Sequence, residues 1–221
     1  MCGRYVIEGT TELSERFQLR QIPADLFPEW TTYNAAPTQL LPVIVEDDSG
    51  ERAARSMQWG LVPRWRRPDG KAGVAPINAR AETLFEKPMF RGLTRAKRCI
   101  VPASGFYEWS AGDKGARLPW YITRADGQPM ALAGVWQRWG EVDSVAVVTT
   151  ESGPGMAGVH NREPVVLEQA DWPLWLGEAG HGAAVLMRAS GPGVLAAPFR
   201  VGVEVNSNRA AGAGLILPVA A

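Results

Sequence analysis

Cys99-Ile-Val-Pro-Ala103, Gly105-Phe-Tyr-Glu-Trp109, Pro119-Trp-Tyr-Ile-Thr123, Met130-Ala-Leu-Ala-Gly-Val-Trp136 and Val145-Ala-Val-Val-Thr-Thr150 follow one another with short connections. β-Branched and aromatic residues dominate these runs, and each is too short for an ordinary helix. Asp113 to Gly115 and Asp126-Gly127 supply turns between three of them. Strands so closely spaced predict an antiparallel meander or a barrel-like sheet. Alternation places Phe106 and Glu108 on one face of their strand and Tyr107 and Trp109 on the other. A carboxylate among aromatics either faces solvent or shares the core. In the core its pKa rises, and it can then exchange protons near neutral pH.

Working outward toward the N-terminus, residues 40–45 and 53–59 read as two further strands around the turn Asp47-Asp48-Ser49-Gly50. Residues 2–7 read as a short strand. Thr10 or Thr11 is placed to cap a helix that buries Leu13 and Phe17 at i, i+4. Tyr33 to Thr38 reads as a loop, because Pro37 pushes Ala36 out of the helical region. Asn78 to Thr83 reads as a helix start with Asn78 as its cap. Toward the C-terminus, residues 168–176 and 183–189 read as helices and residues 199–205 as a last strand. The Ala/Gly-rich tail from Ala210 is expected to pack loosely. No repeat or long linker divides the 221 residues. The expectation is one α+β domain spanning 1–221, built on a barrel-like, mostly antiparallel sheet with flanking helices.

Composition bounds the function. Hydrophobic residues make up 46 % of the chain, and 23 Lys+Arg balance 23 Asp+Glu. No global field therefore draws in nucleic acid, and any anion site is a local patch. Two cysteines do not make a disulfide framework, which points to a reducing compartment. Cys2, Cys99, His160 and His181 have no recognised zinc spacing, so neither a metal nor a cofactor is expected. No basic-then-apolar leader opens the chain, and no apolar run approaches the roughly 20 residues of a membrane span. A cytoplasmic monomer is the expectation.

Several residues can carry chemistry. If Met1 is removed, Cys2 presents a thiol and an α-amine on adjacent carbons, with ordinary pKa values of roughly 8.5 and 7.7–8.0. Such a 1,2-aminothiol can condense with an aldehyde and close a thiazolidine; the plainer reading of Cys2 is a small buried apolar residue. His160, in the loop Gly-Val-His160-Asn161-Arg162-Glu163-Pro164, is poised for proton transfer, whereas His181 lies between glycines and reads as surface. Arg4, Arg80 and Arg162 each lie within two residues of a candidate reactive group, and Arg suits phosphate. Trp65, between Arg64 and Arg66, combines an aromatic with positive charge, as single-stranded nucleic acid requires.

The ordered set Met1-Cys2-Gly3-Arg4-Tyr5, Tyr33 to Thr38, Trp59 to Trp65, Asn78 to Thr83, Arg98 to Ala103, Gly105 to Trp109 and His160-Asn161-Arg162 resembles the SRAP family (SOS response-associated peptidase). These proteins cross-link to abasic sites in single-stranded DNA. The resemblance implies a mixed α+β barrel-like fold and a DNA-damage role in the cytoplasm, at the nucleoid. It implies Cys2 as nucleophile, with Asn78, Glu108 and His160 around it. Arg4, Arg80 and Arg162 would hold phosphates, Asn34 and Thr149 would add polar contacts, and Trp65 would stack on or wedge against bases. The implied partner is single-stranded DNA with abasic sites, single-strand to double-strand junctions being a further candidate. One departure stands out: the family's Arg-Met-Pro is Arg162-Glu163-Pro164 here, and a carboxylate beside a phosphate-binding Arg is expected to weaken DNA contact. Two other activities fit the same residues. One is an N-terminal-Cys thiol peptidase able to remove its own Met1; the other is a non-covalent single-strand binder in which Cys2 is dispensable.

Overall fold

The computed structural model describes residues 2–20, 30–62 and 75–219. The N-terminal half contains β1 (Arg4–Ile7), α1 (Thr10–Phe17), β2 (Thr32–Ala35), β3 (Leu40–Glu46), β4 (Arg52–Trp59) and β5 (Asn78–Arg80). Short helices α2 (Pro88–Arg91) and α3 (Leu93–Ala96) lead to β6 (Arg98–Ala103), β7 (Gly105–Ala111), β8 (Arg117–Ile122), β9 (Met130–Trp139) and β10 (Val142–Glu151). After these come β11 (Arg162–Pro164), β12 (Val166–Leu167), α4 (Trp172–Leu176) and β13 (Phe199–Arg200).

Five strands close into a barrel. The antiparallel ladder β4-β3-β6-β9-β10 returns on itself because β10 also pairs in parallel with β4. Beyond the barrel, β10 takes β5 as a parallel partner at Val147 to Thr149 and β11 as an antiparallel partner at Thr149 to Glu151. A second sheet runs β13-β8-β7-β1-β2. Side chains alternate along it as a pleat requires. Tyr5 and Phe106 join the large core that fills the barrel, while Val6, Tyr107 and Tyr121 form a smaller core with Val201, Val205 and Leu215.

The fold class expected from sequence is the one observed, and several local expectations are corrected. The runs from residue 99 to 150 are not one meander. The chain leaves the barrel at Ser104, forms the β7–β8 hairpin in the second sheet, and returns for the β9–β10 hairpin. The Asp126-Gly127 turn joins strands of different sheets. Helix α1 begins at Thr10 with Gly9 at its N-cap, so neither threonine occupies the cap. Asn78 is a strand residue, because its backbone pairs with Val147; only Ala81–Thr83 winds, as a single 3₁₀ turn. Residues 33–35 belong to β2 rather than a loop, paired to β1. The region around 168–176 is helical only from Gln169, and 183–186 is a 3₁₀ turn. The final strand stops at Arg200, and Val203–Asn206 is 3₁₀. The tail is mostly exposed yet pinned: Leu215 is buried, Val201 bridges to Pro218, and the Val219 amide donates to the Arg200 carbonyl. Among the described residues no helix is long and apolar enough to cross a membrane.

Gly105 sits where the chain passes between sheets. A Cβ there would lie 2.5 Å from the ring and hydroxyl of Tyr121, which is buried in the smaller core. Gly105→Ala is expected to lower unfolding free energy by about 1–3 kcal/mol through overpacking, read from denaturant titration. A change within about 0.5 kcal/mol would mean that the ring has room to move.

Candidate active site

The second sheet delivers a carboxylate toward the barrel. Glu108 follows Phe106 by two in β7, so it takes the inward face, and it is only 2 % exposed. Cys2 lies just ahead of β1, which pairs with β7 at Arg4↔Tyr107, and it is fully buried. Asn78 opens β5, and its Nδ2 donates to the Cys2 carbonyl at 2.8 Å. Its Oδ1 is buried without a hydrogen-bond partner among the described residues. His160 lies in the turn before β11, with Nε2 3.9 Å from Glu108 Oε2. The Arg162 backbone N–H donates to His160 Nδ1 at 3.0 Å. The same nitrogen lies 3.2 Å from the Arg162 carbonyl, so the ring's tautomer decides which of the two backbone groups it bonds. Cys2 and Asn78 are thus in direct contact, and Glu108 and His160 face one another. The two pairs join electrostatically.

Burial raises the pKa of Glu108, and the neighbouring His160 acts the other way. Burial also pushes the Cys2 thiol far above its ordinary value, and the Glu108 charge adds to the effect. The thiol is therefore protonated at neutral pH. A cleft of about 290 Å³, lined by Glu108, Trp109, Ser110, Arg117 and His160, opens beside the Glu108–His160 pair. Among the described residues no group of three His, Cys, Asp or Glu is placed to hold a metal ion.

The residues expected to contact DNA have mixed environments. Arg80 is exposed at the end of β5. Arg4 is partly buried, and its Nη1 donates to Asn34 Oδ1 at 2.7 Å and the Val205 carbonyl at 3.1 Å. Asn34 is buried and donates to the carbonyls of Ser207 and Ala210, which ties the C-terminal segment to β2. Thr149 is fully buried in β10. The Arg162 fork is occupied by Glu82, at 2.5 Å for Nη1–Oε1 and 3.0 Å for Nη2–Oε2. Trp65 lies outside the described residues. Sequence reading missed Arg117, which is exposed in the cleft with its guanidinium 5.0 Å from the Trp109 ring centroid. The turn at 113–115 was the available signal, since counting back from it sets Arg117 opposite Ala111. Burial, then the Arg117 charge, lowers the Arg4 pKa, so two cations share this region.

Glu163 does not share the face of Arg162. Strand alternation turns it to the opposite face, where it is fully buried. It accepts from the backbone N–H groups of Gly153 at 2.9 Å and Ser190 at 2.6 Å.

The family model of the SOS response associated peptidase (SRAP) matches residues 1–207. The chain belongs to this family. Among relatives, abasic site processing protein YoqW of Bacillus subtilis is 36 % identical over 185 residues, covering 80 % of both chains. Abasic site processing protein YedK of Escherichia coli is 32 % identical over 99 % of this chain and all of its own. A solved structure from Bacteroides thetaiotaomicron superposes with a TM-score of 0.84 at 22 % identity, over 99 % of this chain and 100 % of that one, so the SRAP fold is shared.

Two outcomes are expected. A buried carboxyl whose pKa is raised supports the fold when protonated, and that support is lost as pH rises through the raised value. Glu108→Gln is neutral throughout. It is expected to be more stable than the parent at about pH 8, with the gap closing toward about pH 4, by denaturant midpoints. Arg117→Ala is expected to weaken binding of single-stranded DNA and to reduce the slope of log K against log salt by about 1; an unchanged slope would remove Arg117 from the interface.

Proposed function

We propose that this chain acts on abasic sites in single-stranded DNA and links to them covalently through Cys2. The observation that carries the reading is the convergence on Cys2: Asn78 holds its carbonyl, and the raised, buried carboxyl of Glu108 acts on its thiol while facing His160. The names of the relatives support the substrate class. Arg80, Arg117 and the partly exposed Arg4 offer local positive charge on an otherwise neutral protein. The protein's place is then the compartment that holds the DNA.

The chemistry begins with loss of Met1, because the Cys2 amine is otherwise locked in a peptide bond. The abasic sugar is mainly a closed hemiacetal. Opening it moves one proton off the hydroxyl and one onto the ring oxygen, a task for Glu108 and His160. A protonated thiol makes the amine the first nucleophile. Its nitrogen adds to the C1′ aldehyde carbon, and the carbinolamine loses water to give an imine. The Cys2 sulfur then bonds to C1′, the π pair returns to nitrogen, and the thiol proton passes to that nitrogen through Glu108. One aldehyde and one aminothiol thus yield a thiazolidine and one water. Closing the ring removes the imine that would otherwise promote β-elimination and strand cleavage. Asn78 holds the Cys2 backbone, and its Oδ1 is available to accept from the amine or a sugar hydroxyl.

Intact mass tests this. Protein incubated with single-stranded DNA containing one abasic site is expected to give a species equal to the chain without Met1 plus the DNA minus one water. Cys2→Ala is expected to give none. Absence of adduct from correctly processed protein, or an equal yield from Cys2→Ala, would overturn the cross-linking reading. The peptidase reading is checked in the same spectra: a Cys2→Ala chain that retains Met1, where the parent has lost it, favours self-processing.

A further inference from the structure

A cavity of about 690 Å³ lies outside the candidate active site, and none of Cys2, Asn78, Glu108 or His160 lines it. Its wall includes Phe85, Arg91, Thr94, Arg95, Arg98 and His181. The sequence explains why positive charge gathers there. Lys87 to Arg98 holds five basic residues and no acidic one, in a chain whose net charge is zero. Helices α2 and α3 meet at Gly92, whose φ of −72° and ψ of −32° are themselves helical. Arg91 and Arg95 therefore keep the i, i+4 spacing that puts two side chains on one face. Both are exposed, as is His181, and neither arginine is held in an ion pair among the described residues.

Arg98 opens β6, at the end of that strand remote from the corner at Ser104. It is only 7 % exposed. Its Nε donates to the Trp175 carbonyl and its Nη1 to the Thr94 carbonyl. These two bonds fix the guanidinium in the cavity wall, while Nη2 has no hydrogen-bond partner among the described residues. Glu46 is the carboxylate whose charge acts on Arg98, and burial acts on it more strongly. Glu178, three residues before His181, is taken up by Arg52 at 2.8 and 2.9 Å. No carboxylate lines the cavity itself.

A run of basic residues on a convex surface is neutralised by water and mobile ions. Here three guanidiniums converge on a concave site, where low-dielectric walls focus their field. Guanidinium forks match the oxygens of phosphate better than those of a spherical anion. The half-buried Phe85 ring adds an apolar wall, and the volume lies within the roughly 300–1,000 Å³ of small-molecule sites.

We propose that this cavity is a second anion site, which takes a phosphate group through Arg91, Arg95 and Arg98 with His181 beside them. The phosphate has two sources, the backbone of a nucleic-acid strand running beyond the candidate active site or a free phosphorylated small molecule. The proposal stands apart from the cross-linking reading, because none of its residues belongs to that site.

The test compares the full chain with its Arg91→Ala/Arg95→Ala variant, folding being verified by thermal melt. Pyrophosphate is titrated at ionic strength held constant with chloride, and the His181 imidazole and Arg98 Nε resonances are followed. Saturable movement of both is expected in the parent, with affinity weaker by roughly tenfold or more in the double variant as charge-assisted bonds are lost. Lesion-free single-stranded DNA then separates the sources. A strand that occupies the cavity moves the same resonances, is displaced from them by pyrophosphate, and loses about 0.7 of salt slope for each phosphate contact removed in the variant. DNA that leaves the resonances in place, where pyrophosphate moves them, assigns the cavity to a small phosphorylated molecule. The proposal is overturned if pyrophosphate causes no saturable movement, or if the double variant responds as the parent does. Adduct formation on a short abasic strand should be equal in parent and variant, so a failure of cross-linking is read separately. Should the double variant not fold, Arg95→Gln carries the same comparisons.

Discussion

The double use of β10 is the constraint on which the rest of the molecule depends. Its first half closes the barrel, pairing with β9 on one edge and with β4 on the other. From Val147 onward the β4 edge passes to β5, and at Thr149 the β9 edge passes to β11. One strand therefore fixes the barrel and, in register with it, the two short strands beside the candidate site. Ser144 to Thr150 are buried throughout, so the strand has no solvent-facing edge along which to slip. Isolated three-residue strands would not hold a register of their own; as extensions of a closed barrel they inherit one.

Burial of Glu108 turns that architecture into chemistry. A carboxyl taken out of water resists ionisation, and a thiol buried near it resists still more when the carboxyl is charged. This suits the proposed sequence of condensation and ring closure, in which each bond to C1′ is matched by a proton moved a short way. It suits a thiolate-first hydrolase poorly, because such an enzyme needs the thiol pKa lowered. The cost of the buried carboxyl is partly offset by the facing imidazole, whose Nδ1 meets the backbone two residues on.

The strand content was legible because the five runs from residue 99 to 150 are β-branched, aromatic and short; three of them are barrel strands, and β7 and β8 lie in the second sheet. What could not be read was which of them pair. β6 and β7 are adjacent in sequence and belong to different sheets, since a corner at Ser104 and Gly105 leaves no trace in hydropathy. Asn78 looked like a helix cap because three residues are too few to display a strand period. Cys2, Asn78, Glu108 and His160 were identifiable as residues through the family resemblance, and the structure brings them together. The pairing of Arg162 was not identifiable. Its carboxylate partner lies 80 residues earlier in the chain, where Glu82 reads as an ordinary first-turn acid. Arg117 was hidden differently: its significance is positional, arising from a hairpin register rather than from its neighbours.

Arg162 and Glu163 show why adjacent charges cannot be judged from sequence alone. Strand alternation sends one forward to Glu82 and the other back into the protein, where it accepts from two backbone N–H groups. Each charge then anchors a different side of the same turn. Gly153 could not carry a side chain there, since a Cβ would lie 2.8 Å from the Ser190 carbonyl. The base of the loop is closed by the Ser152 amide donating to the Asn161 carbonyl. His160 thus sits in a loop fixed at its base, on its front and on its back. A side chain so held needs little rearrangement, which is the condition under which alignment contributes most to rate in an active site. The Glu163 that departs from the family pattern is therefore accommodated as part of the scaffold of this loop, and its charge acts at the rear of the site, away from the face where Glu82 and Arg162 meet.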